Sequence, residues 1–305
     1  VGTIGGGKAK PTGKIDIAVM QSVSRQGEVN PLVENYGQVI VDECHHVGAV
    51  SFDAILKRTK AKYVLGLTAT PIRRDGQQPI IFMQCGPIRY TAAKPAGAPH
   101  DLEVQPRSRF TRIDLPTDAG IQDVFRHLAN DHARTEAIAA EVRGAVGQGR
   151  KVLVLTERTE HLDAIKAALD GLEPVPFVLH GRMSRKQRAA LVANLDALPP
   201  DAPRVLLSTG KLVGEGFDHP PLDTLVLAMP VSWKGTLQQY AGRLHREHAS
   251  KTDVRIIDFV DTGHAALLRM WDKRQRGYRA MGYRIEAQRE LGEISEICAV
   301  TTGCP

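Results

Sequence analysis

Val39-Ile40-Val41-Asp42-Glu43 constrains this chain more than any other stretch: an apolar, β-branched run that ends abruptly on two carboxylates. A short run with no polar alternation predicts a strand buried on both faces, as in a parallel sheet. Here it covers Gln38–Asp42. Similar runs recur at Ile15–Met20, Tyr63–Thr68, Lys151–Leu155, Pro176–His180, Arg204–Ser208, Thr224–Ala228 and Val254–Phe259. Helical periodicity fills the intervals of the second half, over Gln122–Val146, Glu160–Leu169, a segment from Ser184, Leu237–Glu247 and Ala265–Met281. Strand alternating with helix predicts an α/β fold with parallel sheets. Residues 92–118 break the rhythm with Pro95, Gly97, Pro99, Pro106 and Pro116, and are expected to form a linker. The tail from Ile285 is weakly patterned.

The 305 residues suffice for about two domains. Lys and Arg number 40 against 34 Asp and Glu, a net charge of +6 that leans slightly toward a polyanionic partner. Cys44, Cys85, Cys298 and Cys304 form no C-x-x-C pair, so a zinc ribbon has no support and a reduced, cytoplasmic setting is expected. No apolar run approaches the roughly 18–20 residues of a membrane helix, so a membrane partner is not expected.

At the carboxyl end of a parallel strand, side chains project into the ligand crevice. Asp42 could there hold Mg²⁺ through water, and Glu43 could orient a water for attack on a γ-phosphate. An acidic strand end alone is weak evidence. Leu67-Thr68-Ala69-Thr70-Pro71 ends the next run with two hydroxyls, and Gly214-Glu215-Gly216-Phe217-Asp218 is a glycine-rich exit bearing two acids. Gln239-Tyr240-Ala241-Gly242-Arg243-Leu244-His245-Arg246 sets two arginines at i, i+3, which predicts one helical face suited to a phosphate chain.

Together these segments resemble the superfamily 2 helicases and translocases over roughly residues 10 to 262. Asp42-Glu43-Cys44-His45 resembles the DExH box, motif II; Thr68-Ala69-Thr70 resembles motif III; Lys151–Thr156 sits where motif IV sits. Ser208 to Asp218 resembles motif V, and Gln239 to Arg246 matches the motif VI pattern Q-x-x-G-R-x-x-R. His45-His46 and Arg73-Arg74-Asp75-Gly76 point to the restriction-subunit and repair-helicase branch. The resemblance implies an α/β fold of two RecA-like parallel-sheet domains, the first incomplete. Their expected extents are 1–110 and 111–270, followed by a C-terminal helix and tail at 271–305. It implies ATP and Mg²⁺ as cofactors and movement on nucleic acid, with DNA ahead of RNA.

By residue, the resemblance makes Asp42 and Glu43 the Mg²⁺ and water groups and Arg243 and Arg246 the arginine fingers. His45, Thr68 and Thr70 become coupling residues. Gly216, Asp218 and Gln239 line the nucleotide site, with Asp218 near the ribose. Gln21, Ser22, His180 and Arg182 would meet the sugar–phosphate backbone, as would Ser208 or Thr209, whose spacing from Asp218 departs from DEAD-box relatives. Bland alternatives stand beside these: a strand exit at Gln21-Ser22, and a solvated face for Lys186 and Arg188. For the helix bearing Arg269, Lys273, Arg274, Arg276 and Arg279, a second binding patch and a solvated face are equally open.

A phosphate loop requires G-x-x-x-x-G-K-[ST] between a strand and a helix. Gly2-Thr3-Ile4-Gly5-Gly6-Gly7-Lys8-Ala9 falls short. Ala9 offers no hydroxyl, no strand precedes Gly2, and Pro11 and Gly13 follow where a helix should open. Only 34 residues separate Lys8 from Asp42, whereas the family places several βαβ units there, each roughly 30 residues long. The segment is expected to be a flexible loop. The true phosphate loop is expected on a missing N-terminal segment or a companion chain. Two readings follow: an ATP-driven motor lacking hydrolysis in this chain alone, or a non-catalytic fragment that grips nucleic acid or a partner.

Overall fold

The early apolar runs pair locally into small sheets. In the computed structural model, β1 (Gly2–Gly5), β2 (Lys8–Lys10) and β3 (Asp16–Ala18) form a three-stranded sheet of order β2–β1–β3. A short helix α1 (Met20–Val23), a β4–β5 ribbon (Ser24–Arg25, Glu28–Val29) and a 3₁₀ turn at Pro31–Asn35 follow. β6 (Gln38–Val41) then lies parallel to β7 (Tyr63–Gly66), linked through α2 (Val50–Arg58), and α3 (Gln78–Cys85) comes after. The structure describes residues 1–290 apart from 26, 46–49, 69–77, 93–98, 112, 114, 116–118, 211, 213–216, 232–233, 249–250 and 288.

The near-miss glycine segment is a β-hairpin, not the flexible loop expected. β1 runs antiparallel to β2, Gly5 opposite Lys8, across a Gly6-Gly7 turn. Both turn residues have positive φ, 58° and 81°, a geometry that glycine alone adopts freely.

The chain divides into two compact units, Val1–Ala93 and Lys94–Pro305. The second holds one eight-stranded sheet whose strand pairings are all parallel. Its strands are β8 (Asp101–Arg109), β9 (Lys151–Thr156), β10 (Phe177–Leu179), β11 (Arg204–Thr209), β12 (Thr224–Leu227), β13 (Asp253–Asp261), β14 (Arg284–Ile285) and β15 (Arg289–Glu290). Their order is β10–β11–β9–β12–β13–β8–β14, with β15 also on β8. The helices are α4 (Ile121–Asn130), α5 (His132–Gly147), α6 (Thr159–Ala168), α7 (Arg185–Asp196), α8 (Lys234–Leu244) and α9 (Ala265–Ala280).

Every residue of β9 is buried because both faces of the sheet are covered. Val152 and Val154 pack with Ile138 and Val142 of α5 and Leu162 and Ile165 of α6. Leu153 and Leu155 face the other way, into the cluster holding Leu237 and Leu244 of α8 and Trp271 and Tyr278 of α9. Two buried ion pairs pin this frame. Arg274 donates to both oxygens of Asp258 at 2.7 and 3.0 Å, and Tyr278 adds a third bond at 2.8 Å. Arg134 donates to both oxygens of Asp261 at 3.1 and 3.2 Å.

Three expectations are corrected here. The proline-rich stretch 92–118 contains β8, whose Leu102 and Val104 are buried in the core. Pro106, which has no N–H, falls between the positions where β14 and β15 pair. The long helix expected over Gln122–Val146 is two helices, because the Asp131 carboxylate caps α5 by accepting from Arg134 N at 3.0 Å. The motif VI helix ends at Leu244, so Arg243 lies in its last turn and Arg246 beyond it. The two arginines therefore do not share one helical face.

Candidate functional site

In the first unit the candidate residues Asp42, Glu43, His45 and Thr68 sit where β6 and β7 end side by side. Register pairs Val41 with Gly66, and the ladder continues past both strands: Leu67 N donates to Val41 O at 2.8 Å and Cys44 N to Leu67 O at 2.9 Å. This carries Asp42, Glu43 and His45 to the level of Thr68. His45 Nδ1 lies 2.9 Å from Thr68 Oγ1 and 3.2 Å from Glu43 Oε2. Acid, imidazole and hydroxyl thus form one cluster at the carboxyl ends of two parallel strands. Thr70 lies outside the described residues.

Glu43 has φ +50°, the left-handed region that disfavours side chains, and its N–H donates to Asp42 Oδ1 at 3.0 Å. Such a conformation costs on the order of 1–3 kcal/mol and concentrates at functional sites. Behind the cluster, Gly66 admits the Cys44 and Cys85 side chains. A Cβ there would stand 2.9 Å from Cys44 Sγ and 2.9 Å from Cys85 Cβ. Burial pushes the Cys44 thiol up to about 11, so it remains a protonated packing group.

Oxygen donors at Asp42 suit a hard divalent cation such as Mg²⁺. Among the described residues there is no group of three or more His, Cys, Asp or Glu able to hold a metal alone. Water and substrate oxygens would have to complete the coordination, the usual arrangement for Mg²⁺ with phosphates. Gln21 and Ser22 are exposed on α1 rather than on an extended strand exit.

In the second unit, Asp218 and Arg246 form an ion pair at 3.3 Å, both partly open to solvent. Gln239 and Arg243 are partly exposed on α8. Gly216 lies outside the described residues. Ser208 is buried, with Oγ donating to Thr209 O at 3.2 Å, whereas Thr209 is partly exposed. Of the two hydroxyls, that of Thr209 is the more accessible. His180 Nδ1 accepts from Arg182 N at 3.3 Å, and the Arg182 side chain is exposed.

Three residues outside the expected set support this surface. Tyr240, inside motif VI, donates to Glu157 Oε1 at 3.1 Å, just past β9. Burial pushes both groups toward their protonated forms. A Cβ on Gly210 would meet the Tyr240 hydroxyl at 1.9 Å, so this contact ties the starts of the motif V and motif VI segments. Lys251 Nζ donates to Leu244 O at 2.9 Å and Arg246 O at 3.0 Å, closing the end of α8. Only the Q-x-x-G-R-x-x-R spacing was legible in sequence. Tyr240 occupies a position that the pattern leaves free, and Lys251 lies beyond the pattern.

The doubly covered parallel sheet of the second unit defines the class, a RecA-like domain. The family described as Type III restriction enzyme, res subunit, matches residues 1–73, and the helicase conserved C-terminal domain matches residues 133–248. The chain is 27% identical to the probable helicase D10 of Escherichia phage T5, over 93% of this chain and 61% of that protein. It is 27% identical to the DNA 3'-5' helicase XPB of Kineococcus radiotolerans, over 91% of this chain and 50% of that protein. A fragment structure of a putative HsdR subunit of a type I restriction enzyme from Vibrio vulnificus YJ016 matches with TM-score 0.67 at 24% identity, covering 94% of this chain and 54% of that one. The chain belongs to the superfamily 2 helicases, of the restriction-subunit and repair-helicase type. It spans about half to three-fifths of the length of these relatives. No described helix is long and apolar enough to cross a membrane.

Proposed function

We propose that this chain supplies the motif II to motif VI machinery of an ATP-driven motor on nucleic acid, DNA ahead of RNA. The observation that carries the reading is the Asp42–Glu43–His45–Thr68 cluster at adjoining parallel strand ends. Restriction-subunit likeness on both the sequence and the fold side favours DNA.

In this reading the Val1–Ala93 unit is the ATP-binding-type domain and the following unit is the helicase C-terminal-type domain. Asp42 would hold Mg²⁺, which when bound neutralises phosphate charge. Glu43 orients the attacking water, accepting its hydrogen bond while His45 stands 3.2 Å behind. The His45–Thr68 contact carries the state of that site to the next strand exit, with Thr70 continuing it. Arg243 and Arg246 meet the growing phosphate charge, and Asp218 and Gln239, with Gly216, line the nucleotide. Gln21, Ser22, His180, Arg182 and Thr209 touch the sugar–phosphate backbone. The phosphate cradle comes from residues other than Gly2–Ala9, since a hairpin turn presents no helix N-terminus to an anion.

The test is ATP hydrolysis by the purified 305-residue chain with and without DNA or RNA, beside Asp42→Ala, together with a binding isotherm over salt. Binding that weakens steeply with salt, with hydrolysis at background, is expected. Stimulated turnover that Asp42→Ala abolishes would overturn the assignment of the cradle elsewhere. Absence of binding to either polymer would overturn the nucleic-acid reading.

A further inference from the structure

Helix α9 separates its basic residues sharply. Arg274 is buried and spent on Asp258. Arg269, Lys273, Arg276 and Arg279 are all exposed. Their spacings of four, three and three residues set them along one side of the helix. From Arg269 to Arg279 the stripe runs about 15 Å at the rise of an α-helix.

None of the four makes an ion pair among the described residues. Arg276 Nε turns to the backbone carbonyl of Asp272 at 3.3 Å, and Arg279 to the Gln275 amide oxygen at 3.2 Å. Helices α2 and α4 behave differently, while exposed Arg185 and Lys186 of α7 resemble the α9 residues. Lys57 pairs with Asp53 on α2, and Arg126 with Asp123 on α4, at i,i+4 and i,i+3. Like charges at those spacings on α9 oppose helix stability, by about 0.2–0.5 kcal/mol per pair, a cost that the single exposed acid on the same side, Asp272, offsets only in part. A face selected only for solubility has no need of that cost.

We propose that this stripe is a second nucleic-acid contact, holding consecutive phosphates of one strand. The proposal rests on the nucleic-acid reading above. Flexible cations without a stacking aromatic fit backbone, not base, recognition.

The experiment is fluorescence anisotropy of labelled 20-base-pair DNA, the matching single strand and the same RNA, titrated with the full chain at several salt concentrations. The test variant combines Arg269→Gln, Lys273→Gln, Arg276→Gln and Arg279→Gln. A charge-matched control combines Lys57→Gln, Lys60→Gln, Arg126→Gln and Lys166→Gln. Circular dichroism and Trp271 fluorescence check that both fold. Each lost phosphate contact removes about 0.9 from the slope of log K against log salt on duplex DNA. The test variant should therefore flatten that slope by roughly 3.6 if all four groups contact phosphates and bind at least about tenfold more weakly at low salt, while the control changes little. Wild-type binding with a test variant no weaker than the control would overturn the stripe and leave the motor reading standing. A wild type that binds neither polymer would overturn the motor reading and the stripe with it. Poly-glutamate captured through the stripe, with nucleic-acid binding unchanged in the variant, would overturn the choice of partner.

Discussion

The two units hold their chemistry on frames of different quality. In the second, parallel strands are covered on both faces, and even its charged core groups are paired inside. In the first, the two strands that bear Asp42 and Thr68 form a sheet of their own, with Ile40 60% exposed beside Leu65 at 44%. Parallel strands ordinarily bury both faces. The acids therefore stand on a frame that its own residues cover on one side, and the arginines on one that is complete. Local stability should differ accordingly.

The largest effect tests whether the better frame carries the transition-state charge. In a motor assembled with its phosphate cradle, Arg243→Lys keeps the charge but loses the planar fork. ATP turnover should fall on the order of 10³-fold or more, the range measured for arginine fingers. A near-normal rate would move that role to Arg246 or to simple charge.

Next comes the frame itself. Asp258→Ala leaves Arg274 buried without its carboxylate, a loss of about 3–5 kcal/mol, read as a lower urea midpoint of Trp271 fluorescence. Lys57→Ala in the first unit breaks the same-helix pair with Asp53 from its exposed partner and should barely move any midpoint. Equal effects would mean that the two frames are not so different.

A third test reads the order of unfolding. Cys44 is buried in the first unit and Trp271 in the second. Cys44 should become reactive to alkylation at lower urea than the Trp271 transition. Gly66→Ala should widen that gap, because the new methyl meets Cys44 Sγ and Cys85 Cβ at 2.9 Å. Overpacking of this kind costs about 1–3 kcal/mol. Simultaneous transitions in the wild type would show one cooperative unit.

Much of the second unit was legible because continuous apolar runs such as Lys151–Leu155 carry an unambiguous strand signal, and the sheet that covers them is local in sequence. β8 was not legible. Three prolines nearby outweighed the Leu102–Val104 alternation, and only pairing along β13 makes a strand of it. The carboxylates and arginines were legible as motifs. The end of α8 was not, since its carbonyls are satisfied by Lys251, a residue beyond the motif whose reach depends on the folded chain.

The smallest effect concerns that lysine. Lys251 is 8% exposed, and burial pushes its ammonium down to about 8 from the ordinary 10.5. Asp223 and Asp218 oppose the shift, and Lys151 adds to it. The unfolded chain keeps this proton to about pH 10.5, whereas the folded chain releases it near 8. Between those values the unfolded state binds more protons, so stability should rise with pH. Below about 8 the cost of the buried charge is present in full. His248, whose pKa burial lowers, titrates below this window, whereas Cys44, Tyr240 and Tyr283, whose pKa values burial raises, oppose the rise once their unfolded forms begin to lose protons, from about 9 for the thiol and about 10 for the phenols. The neutral amine still donates to Leu244 and Arg246, so the end of α8 stays closed as the charge leaves. The measurement is the urea midpoint of Trp271 fluorescence from pH 7.5 to 9, below the range in which the buried thiol and phenols oppose the trend, for wild type and Lys251→Met. Wild type should climb across that range and the variant should stay flatter. Parallel curves would mean that Lys251 keeps its charge in the fold, and that the carbonyls of motif VI hold an ordinary, hydrated ammonium.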